Sequence, residues 1–243
     1  MLAVKRLYRC LSITQPVAWA HVGTGWKDRM AEQIALLGDS IFDNGAYTEG
    51  LPDVVTHLRR ILPEGMTATL LAVDGSTAAD LDKQVARLPP ETSHAAVSVG
   101  GNDAILHADA LDLPVASTGE ALRLFGERAS TFEASYRAAI AGVLRHVPQT
   151  AVCTIYNANL PGDEAALARV GLMLFNDVIL RVAFEWHLPV IDLRLVCVDP
   201  SDYANALEPS SQGAAKIAKS IAAALGVVAE PRAASMVFAA TVG

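Results

Sequence analysis

The sequence predicts an α/β domain of the flavodoxin-like type, a three-layer sandwich in which about five parallel strands carry helices on both faces. From residue 33 onward, short apolar runs alternate with longer segments of helical periodicity, which is the pattern of repeated βαβ units. Each apolar run contains Ile, Val or Leu without polar alternation, as expected of a strand that is buried on both faces. Right-handed crossovers between such strands produce a doubly wound sheet.

The individual elements follow from these runs and periods. The predicted strands are 33–37, 67–73, 95–99, 151–156 and 189–193. The predicted helices are 50–62, 77–87, 119–147, 163–187 and 210–225. Gly226 should end the last helix, because glycine readily adopts the left-handed conformation that follows many helices.

The 243-residue chain is long enough to form one domain with a single core. We expect that domain over residues 30–226, with a poorly ordered extension over 1–29 and a tail over 227–243 that has no clear period. Basic residues precede a weakly apolar stretch within residues 1–20, which superficially resembles a signal peptide, but polar residues interrupt that stretch. The expected location is therefore cytoplasmic, and secretion is only weakly supported.

Composition excludes several classes of partner. The net charge of -7 gives no basic patch for nucleic acid. No run reaches the ~20 apolar residues of a membrane-spanning helix, so we expect a soluble protein. The three cysteines are widely spaced, and neither a metal-ligand cluster nor a phosphate loop with its lysine is present, so no metal or organic cofactor is expected. The oligomeric state is open.

Three glycine-containing segments follow predicted strands. The first strand runs into Gly38-Asp39-Ser40 before an expected helix, the second is followed by Gly75, and the third by Gly100-Gly101-Asn102-Asp103. Ligands of doubly wound sheets bind beyond the carboxyl ends of the strands. The N–H groups of Ser40 and Gly75 and the amide of Asn102 can donate hydrogen bonds there. Alone, Gly38-Asp39-Ser40 fits an ordinary helix cap equally well.

In this order, the three segments resemble blocks I, II and III of the SGNH/GDSL hydrolase family, and the resemblance covers about residues 33–225. It implies that Ser40 attacks the acyl carbonyl of a small-molecule ester. It also implies that Ser40, Gly75 and Asn102 form the oxyanion hole. Residues 40–45 additionally look like the corresponding segment of lipase-like members.

The family's block V, Asp-x-x-His followed by Pro, is altered here. Asn205 stands in the position of Asp and Glu208 in that of His, directly before Pro209. An unperturbed Glu is a poor base for serine, because its pKa is ~4.3 against ~6.5 for His. Burial can raise the pKa of Glu208, and Asn205 could hold it by hydrogen bonding.

Other residues remain candidates for parts of this chemistry. His107 follows Asn102 by five residues and is an alternative base or a solvated loop residue. Asp199 and Asp202 could orient a base, line the pocket, or simply form a turn.

These observations predict a serine-dependent hydrolase of acyl or acetyl esters that works through an acyl-enzyme on Ser40, with Glu208 as a base that departs from the family pattern. The alternative is a catalytically impaired relative that binds an acylated or carbohydrate ligand in the same pocket. The fold does not separate the two, because function is carried by the site.

Overall fold

The protein has a five-stranded parallel sheet in the order β2-β1-β3-β4-β5, seen in a computed structural model that describes residues 32–228 and Val237. The strands are β1 (Glu32–Gly38), β2 (Met66–Leu70), β3 (Thr92–Ser98), β4 (Gln149–Cys153) and β5 (Val190–Ile191). This arrangement confirms the predicted fold class. The proposed extension over 1–29 and nearly all of the tail over 227–243 lie outside the described residues, so the domain limits stay predictions.

Seven α-helices connect and follow the strands within the described part of the chain. They are α1 (Val54–Ile61), α2 (Leu81–Val85), α3 (Gly101–Leu106), α4 (Thr118–Leu144), α5 (Gly162–Glu185), α6 (Leu193–Val196) and α7 (Ser211–Ala224). Short 3-10 helices cover Gly45–Tyr47, Ala78–Asp80, Ala108–Leu111 and Pro200–Asp202.

Two hydrophobic clusters lie on opposite faces of the sheet, and β1 contributes to both. Ile34 and Leu36 belong to the cluster that includes α1 and α7. Ala35 and Leu37 belong to the cluster that includes α4 and α5. Because successive side chains of a strand point to opposite faces, a strand covered on both sides must be apolar throughout. This explains the uninterrupted apolar run in the sequence.

Several element boundaries differ from the prediction for local reasons. α1 begins at Val54 rather than near residue 50, because the Asp53 carboxylate accepts a hydrogen bond from the Thr56 N–H at 2.8 Å and caps the helix. The predicted helix 77–87 is divided into a 3-10 turn and α2. Short α3 and α6 were not predicted, because four to six residues are too few for a visible helical period.

The second and fifth predicted strands are longer than the observed ones. β2 ends at Leu70, but the chain still follows β1, since the N–H groups of Leu71 and Ala72 both donate to the Leu36 carbonyl at 2.9 and 2.8 Å. Two donors on one acceptor interrupt the regular ladder. β5 has only two residues because Asp192 caps α6 immediately afterwards.

Gly213 in the first turn of α7 is required by close packing. A Cβ added there would lie 2.2 Å from the carbonyl oxygen of Asp202, a backbone atom that cannot move away cheaply. We expect Gly213→Ala to lower the free energy of unfolding by ~1–3 kcal/mol, as overpacking generally does. Urea denaturation measures the change.

Gly126→Ala is the matched control, because Gly126 lies within α4 and an added Cβ there meets no atom within 4 Å. Alanine is favoured over glycine inside a helix, so this control should be neutral or stabilising by ~0.5–1 kcal/mol. Equal losses in the two variants would contradict the packing argument.

Candidate active site

The turn after β1 is held by an unusually close approach to β3. Gly38 has a φ of +132°, and a Cβ added there would lie 1.8 Å from the Ser98 carbonyl oxygen. The buried side chain of Gln84 donates to the Gly38 carbonyl at 2.8 Å and accepts from the Gly38 N–H at 2.7 Å. The Asp39 N–H donates to the Ser98 carbonyl at 3.0 Å. These bonds determine where the chain leaves β1 and therefore where Ser40 lies.

Ser40 does not open a helix, which corrects the sequence-based expectation. Residues 39–43 form one turn, in which the N–H groups of Phe42 and Asp43 both donate to the Asp39 carbonyl at 3.1 Å. The next α-helix begins only at Val54. Any stabilisation of an anion at Ser40 would therefore come from nearby backbone and side-chain N–H groups, since no long helix begins at Ser40.

Gly75 lies in a tight turn beside the Ser40 loop. Its φ is +81°, and the Ser76 N–H donates to the Val73 carbonyl at 3.1 Å, as in turns that need glycine in the third position. The Asp74 N–H donates to the Asp43 carboxylate at 2.9 Å, which joins this turn to the loop after Ser40. Gly75 is exposed and is not among the residues that line the cavity described below.

Asn102 occupies the first turn of α3, directly after the third strand. Its side-chain amide donates to the Ser76 carbonyl at 3.0 Å, so blocks II and III are linked by this bond. An amide group carries two N–H donors, and the second remains available for a bound oxygen. The neighbouring Asp103 is buried, and its carboxylate accepts a hydrogen bond from the Ala78 N–H at 3.0 Å.

Glu208 is held by its backbone within the loop before α7. Asn205 Oδ1 accepts hydrogen bonds from the N–H groups of Leu207 and Glu208 at 2.8 and 2.9 Å. The Ala204 N–H donates to the Glu208 carbonyl at 2.8 Å. The side chain of Asn205 therefore orders the loop rather than bonding to the carboxyl group of Glu208.

Asn44 is a structural residue of the site that the sequence analysis did not single out. It is completely buried, donates from Nδ2 to the Pro209 carbonyl at 3.1 Å, and accepts at Oδ1 from the Val54 N–H at 3.0 Å. It thus ties the loop after Ser40 to the loop that carries Glu208. Its place four residues after Ser40, within 40–45, is the only signal in the sequence.

Ser40, Asn102, His107 and Glu208 all line one cavity of about 470 Å³. The remaining lining is mainly apolar and comes from the loop after β4, from α3, α4 and α5, from the 3-10 helix Ala108–Leu111 and from the loop before α7. It includes Ile105, Leu111, Phe125, Ile155, Leu160, Leu167, Leu172, Phe175 and Leu207. Such a cavity has the size and lining typical of small-molecule sites.

Both candidate bases lie on this cavity, in different surroundings. Burial raises the pKa of Tyr156, which also lines the cavity, and the charges of Asp39 and then Glu208 raise it further. The carboxylate of Glu208 therefore lies within electrostatic range of Tyr156. The ring of His107 stacks on Phe175 with centroids 6.2 Å apart. Burial raises the pKa of Asp103, and the hydrogen bond from the Ala78 N–H, followed by the nearby His107, opposes that rise.

Asp199 and Asp202 serve the fold rather than the cavity. Asp202 is completely buried, and its carboxylate accepts from the N–H groups of Val198 and Asp199 at 3.0 Å. Lys216 Nζ lies 2.9 Å from Asp199 and 2.7 Å from Asp202. Neither aspartate lines the cavity, so the two acids stabilise the turn that precedes the Glu208 loop.

Within residues 32–228, no three His, Cys, Asp or Glu side chains lie close enough together to hold a metal ion. The described part of the chain also contains no helix that is long and apolar enough to cross a membrane. Cys153 and Cys197 are buried free thiols, whereas Cys10 lies outside the described residues.

A doubly wound sheet with a serine turn after its first strand and an apolar cavity beside that turn is compatible with an ester hydrolase. The model of the GDSL-like lipase/acylhydrolase family matches residues 36–216, and the chain belongs to this family of ester hydrolases. No curated protein sequence matches the chain significantly.

Solved structures share the fold at low sequence identity. An extracellular lipase from Streptomyces rimosus is 15% identical, with a TM-score of 0.62 over 80% of this chain and 99% of that one. A phospholipase A1 from Streptomyces albidoflavus is 17% identical, with a TM-score of 0.60 over 81% and 100%. An acetylxylan esterase from Geobacillus stearothermophilus is 17% identical, with a TM-score of 0.57 over 80% and 94%.

Burial of Asp39 makes folding depend on pH. Only 3% of Asp39 is exposed, and burial, followed by the charge of Asp103, raises its pKa from 3.8 to about 7. The folded protein therefore binds this proton more tightly than the unfolded chain. The resulting stability is complete below about pH 4 and is lost as the pH rises through about 7.

As the pH rises from ~4 to above 7, the free energy of unfolding of wild type should fall by up to ~4 kcal/mol relative to that of Asp39→Asn. This magnitude follows from ~1.36 kcal/mol per pKa unit. Urea denaturation at successive pH values measures the difference. Asp112→Asn removes an exposed carboxyl group and should follow wild type. Parallel curves for wild type and Asp39→Asn would contradict the prediction.

Proposed function

We propose that the protein hydrolyses carboxylic esters through an acyl-enzyme on Ser40, with Glu208 as the base. The observation that supports this proposal is the shared cavity: Ser40, Asn102 and Glu208 all line it. Gly75 contributes from the turn joined to the Ser40 loop through Asp74 and Asp43. No step of the reaction requires a metal or organic cofactor.

In the first step, the Glu208 carboxylate accepts the hydroxyl proton of Ser40 while Oγ forms a bond to the carbonyl carbon of the ester. The N–H groups of Ser40 and Gly75 and the amide of Asn102 donate to the oxyanion, and each such donor is typically worth ~3–4 kcal/mol. Collapse of the intermediate breaks the bond to the alcohol, which leaves with the proton from Glu208.

In the second step, Glu208 accepts a proton from water as the water attacks the acyl group on Ser40. The bond between the acyl group and Oγ then breaks, the carboxylic acid is released, and Oγ regains its proton. Glutamate is a weaker base than histidine by ~2 pKa units, so we expect turnover ~100-fold slower than a histidine would support in the same position.

The proposed roles predict a specific order of mutant activities. Ser40→Ala should reduce kcat for p-nitrophenyl butyrate to background, and Glu208→Gln should reduce it at least ~100-fold, because neither can complete proton transfer from the nucleophile. His107→Ala should retain most activity. Circular dichroism of each variant checks that the fold is intact.

The opposite order, with loss in His107→Ala and none in Glu208→Gln, would transfer the role of base to His107. Labelling by a fluorophosphonate provides an independent test of Ser40, since the reagent should modify wild type, modify Glu208→Gln more slowly because the base is lost, and leave Ser40→Ala unmodified.

The size and lining of the cavity favour an acyl chain over an acetyl group. Each methylene group that is buried contributes ~0.8 kcal/mol, which corresponds to about a fourfold rise in kcat/KM per carbon until the cavity is filled. A series of p-nitrophenyl esters from acetate to decanoate should show this rise. If kcat/KM does not rise along this series, the substrate is restricted to short acyl groups.

Gly171 lines the cavity and an added Cβ there meets no atom within 4 Å, so Gly171→Leu should place its side chain in the cavity and move the optimum to shorter chains. Gly126→Leu is the matched control, because Gly126 is also helical with no neighbour within 4 Å of an added Cβ but does not line the cavity. An equal shift in both variants would argue against an acyl chain in this cavity.

The second candidate function is ligand binding without turnover. It is favoured by one observation, the presence of Asn205 and Glu208 at the positions where the family has Asp and His. If wild type and Ser40→Ala hydrolyse the whole ester series at the same rate, this second function replaces the first.

A further inference from the structure

Exposed apolar side chains are concentrated on the segments that line the cavity. We define the apolar rim by six of them, of which Leu111 and Leu167 also line the cavity itself. The rim consists of Leu106, Leu111, Leu122, Leu167, Val170 and Met173, all of which are at least half exposed. Single exposed apolar residues are common, but a cluster beside a site marks a contact surface.

The residues of the apolar rim lie on the same elements as residues that line the cavity. Leu106 ends α3, Leu122 lies one turn before Phe125 on α4, and Val170 lies between Leu167 and Gly171 on α5. Phe125, Leu167 and Gly171 line the cavity. The same three helices therefore present apolar side chains both to the cavity and to the outside.

The charges on the segments that carry the apolar rim argue against an anionic membrane and against a second copy of the chain as its partner. Residues 105–128 and 162–174 contain six carboxylates, at positions 109, 112, 120, 127, 163 and 164, against the guanidiniums of 123, 128 and 169, of which Arg128 pairs with Asp109. An anionic membrane attracts clusters of Lys and Arg, which these segments lack. A two-fold dimer would place the rim against its own copy and bring the carboxylates of the two chains together.

The cavity further limits which partner can cover the apolar rim. If the proposed function is correct, an acyl chain must pass through the rim to reach Ser40. A folded protein partner seated on the rim would obstruct that path. A lipid surface without net charge fits both the charges of the rim and the path of the acyl chain. Such a surface covers apolar side chains, does not attract or repel the carboxylates strongly, and itself supplies acyl esters.

We propose that the apolar rim docks onto the surface of lipid without net charge and that the enzyme withdraws its ester substrate from that surface. This inference rests on the proposed function for the choice of lipid as the occupant and for the substrate, whereas the docking itself is measured without turnover. Docking through apolar contacts should be insensitive to salt between about 0.05 and about 0.5 M, unlike the binding of a basic patch to anionic lipid.

Flotation with phosphatidylcholine vesicles tests the docking, with Ser40→Ala as the protein so that lipid is not consumed. Ser40→Ala should float with the vesicles, and adding Leu106→Gln, Leu122→Gln and Val170→Gln should weaken the partition coefficient at least tenfold. These three residues do not line the cavity. Replacing exposed residues should change stability little, which thermal unfolding checks.

The matched control replaces three equally exposed apolar residues outside the rim, Leu51, Leu195 and Val198, with Gln. This control should float like the parent. Equal loss in both triple variants, or no flotation of the parent, would overturn the proposal. Flotation that requires anionic phosphatidylglycerol, or a dimer in sedimentation velocity that the rim substitutions dissociate while vesicles are ignored, would also overturn it.

Hydrolysis of dissolved p-nitrophenyl butyrate separates this inference from the proposed function. If wild type hydrolyses the dissolved ester but the parent does not float, docking is wrong and the ester hydrolysis stands. If the parent floats but wild type shows no more hydrolysis than Ser40→Ala, the surface is supported while the catalytic proposal fails.

Discussion

The close approach of the β1 terminus to β3 is the constraint on which the site depends. The chain passes so near the Ser98 carbonyl that no side chain fits at Gly38, and the buried amide of Gln84 satisfies both backbone groups of Gly38. A buried backbone group without a partner would cost ~1–3 kcal/mol, so Gln84 does more than fill space. The result is a rigid exit from the strand that presents Ser40 to the cavity.

Around that exit, hydrogen bonds connect three loops that are distant in the sequence. The Asp43 carboxylate accepts a hydrogen bond from the turn that contains Gly75. Asn102 donates to the Ser76 carbonyl, and Asn44 donates to the Pro209 carbonyl next to Glu208. Because Asn44 also caps the start of α1, the loop after Ser40 is anchored at both ends. This network holds Ser40, Asn102 and Glu208 on one cavity without a long helix at Ser40, so the proposed oxyanion would depend on nearby N–H groups.

The main departure from the family pattern is the pair Asn205 and Glu208, which stand where the family has Asp and His. Asp39 belongs to the family's first block, and its burial raises its pKa to about 7. The loop that carries Glu208 retains its shape because Asn205 accepts the backbone N–H bonds that order it. Under the proposed function, a change of base would not require rebuilding the loop, and the apolar cavity beside it would select the acyl group.

The sequence by itself determined the layers of the fold, the order of the strands along the chain and the segments that contain Ser40, Gly75 and Asn102. These features can be read from the sequence because apolar runs and glycine turns depend on neighbouring residues and on the periods of strands and helices. It could not reveal that the Ser40 turn stops short of a helix, that Asn44 bonds to a carbonyl 165 residues away, or that Asp202 supports Lys216 rather than the cavity. The tertiary structure decided these points. The partners of a buried polar group are chosen by how distant segments pack, and no local pattern in the chain records that choice.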